Sequence, residues 1–222
     1  MLTETNQISK ITLYWLDKSR SQHILWLLEE LKLDVHPLGK SPVIDIQAAD
    51  AAKPLIIAES VTILEYLVEH FGKWLVPKRQ EWLRYRYYMH YAEGSFMALM
   101  LIALLTHTIR SAPVWFFLKP ITTGIASTLG TMYTAPNLKT HLSFLEDQLA
   151  TAPNGGGFFC GNELTGADIL MIFPLEAAVQ RVPSFEKSYP KVYLSPTKRP
   201  VKRFSEASGE KYIPVSDVAM GL

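Results

Sequence analysis

Ser19 stands where an apolar, aromatic run (Ile11 to Leu16, ITLYWL) gives way to a helical pattern. A helix N-terminus offers free backbone N–H groups and a partial positive charge, which favour an anion such as a thiolate. A serine hydroxyl there can add a charge-assisted hydrogen bond. Ser19 reads first as a plain helix cap and second as such a donor; Ser21 is an equally good cap. Glu59-Ser60 opens a second helix and poses the same choice. Glu59 can hold an ammonium, while Ser60 and its N–H take a carboxylate, so together they suit an amino-acid zwitterion. Ser41-Pro42 directly precedes a strand. A cis bond there would turn backbone recognition groups outward, although a trans proline at a strand start is commoner.

Other chemistries find less support. The single cysteine, Cys160, makes no C-x-x-C pair and no intrachain disulfide, which points to a reducing compartment. The six histidines have no metal-ligand spacing, so no metal site is expected. Tyr85, Tyr87, Tyr88 and Tyr91 read first as core or interface. A net charge of +1 gives no electrostatic case for nucleic acid or an anionic membrane. The N-terminus shows no secretory signal, and the apolar run Phe96 to Leu105 is about half a membrane span. A cytoplasmic protein is expected.

The elements that must position these residues follow from periodicity. Ile24, Leu27, Leu28 and Leu31 fall on one face of a helix after the first strand. Val43 to Ile46 and Leu55 to Ala58 read as a hairpin, followed by a helix with Leu64, Leu67, Val68 and Phe71 on one face. Beyond Pro77 the pattern is helical: Trp82 to Ile109 is one long helix with a bend expected at Gly94-Ser95. Leu138, Leu142, Leu145 and Leu149 mark another helix, and Thr165 to Asp168 has capping-box spacing. An α/β domain over 1–77 and an all-helical domain over 82–222 are predicted.

Three segments, LYWLDKSRSQHILWLLEEL, HPLGKSPV followed by LIIAES, and LTGADILMIFPLEAA, resemble the cytosolic glutathione transferases, nearest the yeast and fungal class. The resemblance implies a thioredoxin-like N-terminal domain and a helical C-terminal domain, usually in a homodimer, with glutathione as co-substrate. It gives Glu59 and Ser60 the γ-glutamyl end, Ser41 before a cis Pro42 the cysteinyl backbone, and Lys40 and His36 the glycine carboxylate. Ser19, with Ser21 behind it, takes the thiolate hydrogen bond, and Asp168 a folding role. Serine at 19 instead of cysteine favours conjugation over disulfide exchange. The candidates for a hydrophobic substrate site are Tyr14, Tyr87, Tyr91, Trp115 and Phe116.

The implied reaction is addition of glutathione to a hydrophobic alkene, enone or epoxide, with a fungal secondary-metabolism setting suggested. Glutathione-dependent cis/trans isomerisation and non-catalytic binding on the same fold are the alternatives.

One departure stands out: only Asp34 and Val35 separate Leu33 from the H-P-L-G-K segment. A first helix of about 13 residues spans about 20 Å, and the seven residues Asp34 to Lys40 reach about 23 Å when extended. The chain closes, but the second strand and helix of the family are expected to be missing, and with them the wall beside the glycine end.

Overall fold

The computed structural model describes residues 8–15, 20–33, 35–39, 42–49, 51–78 and 80–195. The first layer runs β1 (Ile8–Trp15), α1 (Ser21–Glu30), β2 (Val35–Gly39), β3 (Val43–Ala48), β4 (Leu55–Ala58) and α2 (Ser60–Phe71). The sheet order is β2-β1-β3-β4, with β2 parallel to β1 and the other neighbours antiparallel. This is a thioredoxin-like layer with a helical domain behind it, as expected.

The missing strand is a correction. Residues Val35–Gly39 pair with Ile11 to Trp15, so the second strand is present, and only the helix after it is absent. The reason is geometric. A chain returning extended along α1 runs parallel to β1 at its open edge, where unpaired backbone groups await a partner. The H-P-L-G stretch lacks strand composition, yet pairing makes it one.

Period-2 alternation in β1 sends Ile11 and Leu13 into the core beside Ile44 and Ile46 of β3. They meet Ile24, Leu27 and Leu28 of α1 and Ile63, Leu64 and Leu67 of α2 in one buried cluster. Each such side chain contributes about 1.5–3 kcal/mol of burial.

The second layer is α3 (Trp82–Tyr91), α4 (Ala98–Ser111), α5 (Lys119–Leu129), α6 (Ala135–Ala150), α7 (Gly166–Val179), α8 (Phe185–Ser188) and α9 (Pro190–Leu194). A π-helical turn, Ala92–Met97, joins α3 to α4 at the expected irregularity. Helix α7 is apolar all round, as an element surrounded by others must be. It packs against α1, α2 and α3, and so ties the two layers together. A Cβ on Gly166 would come within 2.8 Å of Leu64 and 2.9 Å of the Tyr85 hydroxyl, so a side chain there would have to displace both. The capping box forms: the Asp168 carboxylate accepts from the Phe159 N–H (2.8 Å), the Thr165 N–H (2.9 Å) and the Thr165 hydroxyl (2.6 Å).

Candidate functional site

Strand register decides which chain segments meet. Trp15 pairs with Gly39, Tyr14 with Val43, and Val43 with Ala58. The end of β1, the end of β2, the start of β3 and the end of β4 therefore share one edge of the sheet. Pro42 enters β3 and Glu59 leaves β4 at that edge, and the N-terminus of α2 opens beside it. Of the sequence candidates, this brings Pro42, Glu59 and Ser60 to one edge. Ser19, Lys40 and Ser41 lie outside the described residues, and so does the Ser41–Pro42 bond; Pro42 itself is buried.

At α2 the site is built from strain and an unmet hydrogen bond. Glu59 has φ +74° and ψ 122°, a backbone region that L-residues seldom adopt, at a cost of about 1–3 kcal/mol. Its exposed side chain makes no capping bond. Ser60 is 2% exposed, and its hydroxyl has no hydrogen-bond partner among the described residues. A buried polar atom left unpaired costs about 1–3 kcal/mol. Strain at 59 and an orphan hydroxyl at 60 stand together at a helix N-terminus, where a carboxylate would be welcome.

At α1, among the described residues, the first turn carries no acidic residue and no side-chain cap. Ser21 is fully buried and makes an interaction of its own. Arg20 at the N-cap position places Nη1 2.9 Å from Oε2 of Glu93. Glu93 sits in the π-helical turn, so the irregularity in the long helix lies beside the opening of α1. Such turns are frequent at functional sites. Neither Arg20 nor Glu93 was singled out by motif. The only sequence trace was the Gly94-Ser95 break next to Glu93.

One more buried group lies along α1. His23 is fully buried, neither ring nitrogen has a partner among the described residues, and its ring meets Phe173 of α7 edge-on at 6.3 Å. Burial, and secondarily the charge of Arg20, lower its pKa to about 3, so the ring is neutral.

Several sequence candidates fall elsewhere. The His36 backbone pairs with Thr12, three residues back from Trp15 and about 10 Å along the strand from the shared edge. Tyr14 alternates with Leu13 and lies on the sheet face away from α1 and α2, where its hydroxyl donates to Asp45 Oδ2 at 2.7 Å. That bond, which holds the Tyr14 pKa up, makes it a cross-strand pair and not a substrate wall. Tyr91 is 7% exposed, stacks between Tyr87 and Phe96, and bonds to His141, so it belongs to the helical core. Tyr87 covers it and stays half-exposed. Trp115 and Phe116 are 74% and 86% exposed at the turn between α4 and α5.

The chain is similar to known proteins in sequence and in fold. Residues 131–194 match the model of the glutathione S-transferase C-terminal domain. The chain is 28% identical over 205 residues to glutathione S-transferase 1 of Saccharomyces cerevisiae, covering 82% of this chain and 86% of that one. It is 30% identical over 193 residues to glutathione S-transferase 3 of Schizosaccharomyces pombe, covering 76% and 74%. Among solved structures, Ure2p5 of Phanerochaete chrysosporium, cocrystallized with 1-(S-glutathionyl)-2,4-dinitrobenzene, is similar in fold, with TM-score 0.64, 16% identity and coverage of 90% and 97%.

Proposed function

Because the chain belongs to the glutathione S-transferase family, we propose that it binds glutathione across the shared sheet edge and adds the thiol to a hydrophobic electrophile. The γ-glutamyl carboxylate takes the Ser60 hydroxyl and the N–H groups that open α2, and Glu59 takes the ammonium. The cysteinyl backbone lies along the Ser41-Pro42 segment, and Lys40 is the candidate for the glycine carboxylate. The thiol is then carried toward the N-terminus of α1, with Ser19 as its hydrogen-bond donor and Ser21 behind it.

The observation that carries this reading is the buried, unpartnered Ser60 hydroxyl directly after a strained Glu59. A free thiol has a pKa of about 8.5, and each unit of depression corresponds to about 1.4 kcal/mol of thiolate stabilisation. A helix N-terminus and one hydroxyl supply one or two such units, which raises the population of the nucleophile and aims it.

Tyr87 and the π-helical turn around Glu93 are the nearest candidates for the electrophile's wall. An alkene, enone or epoxide fits a thiolate nucleophile, and serine at position 19 suits conjugation. A fungal secondary-metabolism setting and a homodimer rest on the resemblance. Exposed Leu55, Ile56 and Leu83 offer apolar surface for such a dimer. The test is the ultraviolet absorbance of bound glutathione thiolate as pH is raised, for the wild type and Ser19→Ala. A thiolate midpoint below that of free glutathione, moving up in the variant, is the expected result.

A further inference from the structure

A polar cavity of about 210 Å³ lies between the segment that joins the two layers and the loop that precedes α7. None of the glutathione candidates lines it. The joining segment contributes Trp74, in the turn Lys73–Leu75, then Lys78 and Glu81. The loop contributes Asn154, Cys160 and Glu163. Sites for drug-sized ligands run to about 300–1,000 Å³. This cavity is the size for one long side chain.

Its chemistry favours a cation. Glu81 and Glu163 outnumber Lys78, which leaves a net charge of −1 that one guanidinium neutralises. Among the described residues neither carboxylate has an ion pair or a side-chain hydrogen bond. The Trp74 ring, 55% exposed, adds a π face, on which a guanidinium stacks better than an ammonium. Burial pushes the Cys160 thiol up to about 12, so it is a neutral part of the wall.

The chain itself supplies a guanidinium within reach. Helix α9 ends at Leu194, and the next residue, Ser195, is buried, with its hydroxyl donating to the Gly157 carbonyl at 3.3 Å. Gly157 stands in the cavity loop, three residues from both Asn154 and Cys160. Ser195 has ψ 134°, so the chain leaves it extended. Residues 196–203 (PTKRPVKR) carry four cations and no acid, and lie outside the described residues. Pro196 and Pro200 oppose a helix there, and Pro200 biases Arg199 toward an extended backbone. Four extended residues from Ser195 to Arg199 cover about 13–14 Å, against about 10 Å at most for the three from Gly157 to either lining residue.

We propose that Arg199 docks in this cavity, with its guanidinium on the Glu81 and Glu163 carboxylates and against the Trp74 ring. The segment after α9 then straps the loop before α7 to the connection between the layers.

Limited trypsin digestion of the full chain, followed by mass spectrometry, tests this. Trypsin spares the Arg199–Pro200 bond, so the reporters are the bonds after Lys198, Lys202 and Arg203. Cutting there is expected to be about tenfold slower in the wild type than in R199Q or E81Q/E163Q, from a few weak contacts acting together. Combining the two variants should speed it no further, because each removes the same contact. Unchanged far-UV circular dichroism would show that both variants fold. Equal cutting in the wild type and both variants overturns the proposal. A second measurement uses the synthetic peptide PTKRPVKR at millimolar concentration, read by Trp74 emission isolated by difference from W74F. Saturable binding to R199Q and none to the wild type is expected. Equal binding to both also overturns the proposal and makes a cation from outside the chain the occupant.

Discussion

Arg20 and Glu93, 73 residues apart in sequence, close to 2.9 Å across the junction of the two layers. The pair joins the opening of α1 to the π-helical turn of the long helix. It is partly exposed, so its direct contribution to stability is under about 1 kcal/mol. It also bears on charge at the α1 N-terminus, because Glu93 offsets the Arg20 cation at the N-cap position.

Glu93→Gln leaves the geometry and removes that offset. The thiolate midpoint of bound glutathione should fall, by about half a unit to one unit, while the melting temperature barely moves. A midpoint that stays put or rises would separate Arg20 and Glu93 from the chemistry. Ultraviolet titration of the complex reads it directly.

Glu59→Gly exchanges strain for function. Glycine adopts φ near +74° at no steric cost, which recovers about 1–3 kcal/mol, less about 0.5–1 kcal/mol for the greater freedom of glycine in the unfolded chain. Thermal unfolding should therefore occur at the same or a higher temperature. Glutathione affinity should fall about tenfold or more with loss of the ammonium partner. A variant that is both less stable and equally tight in binding would contradict the reading of Glu59.

His23 sets an acid limit. Its folded pKa is lowered to about 3 from the ordinary 6.5, so below 6.5 the unfolded chain takes up a proton that the folded chain refuses. Stability from this group is complete above pH 6.5 and falls by about 1.4 kcal/mol per unit as pH drops toward 3. His23→Leu should flatten that slope in denaturant titrations at pH 7, 6 and 5. An unchanged slope would mean that the ring titrates alike in the folded and unfolded chains.

Asp168 carries the start of α7. Asp168→Ala leaves the Phe159 and Thr165 N–H groups unpaired in a buried setting, at about 1–3 kcal/mol each. A loss of about 2–6 kcal/mol in urea unfolding is expected, and a loss below 1 kcal/mol would mean that water replaces the carboxylate.

Local patterns were legible in the sequence where one segment settles them alone. The amphipathic faces of α1 and α2, the β3–β4 hairpin and the Thr165–Asp168 box all read correctly from spacing. Strand β2 did not, because H-P-L-G becomes a strand only by pairing with β1, a partner 24 residues away in register. Tyr91 and Tyr14 looked like site residues because aromatic identity is ambiguous between core and pocket; burial and the Asp45 bond decide them. The strain at Glu59 and the Arg20–Glu93 pair are tertiary properties with no local signature. Glu59-Ser60 was therefore visible as a helix opening, and its unmet bonding only in three dimensions.

Isothermal titration calorimetry with glutathione, on the wild type and Ser60→Ala, tests the central claim most directly. The wild type should bind, and removal of the buried hydroxyl should weaken binding by about 1.5–3 kcal/mol, tenfold or more, while thermal stability holds or rises as an unpaired polar atom is lost. Equal affinity in the two proteins, or no heat of binding in the wild type at millimolar glutathione, would contradict it.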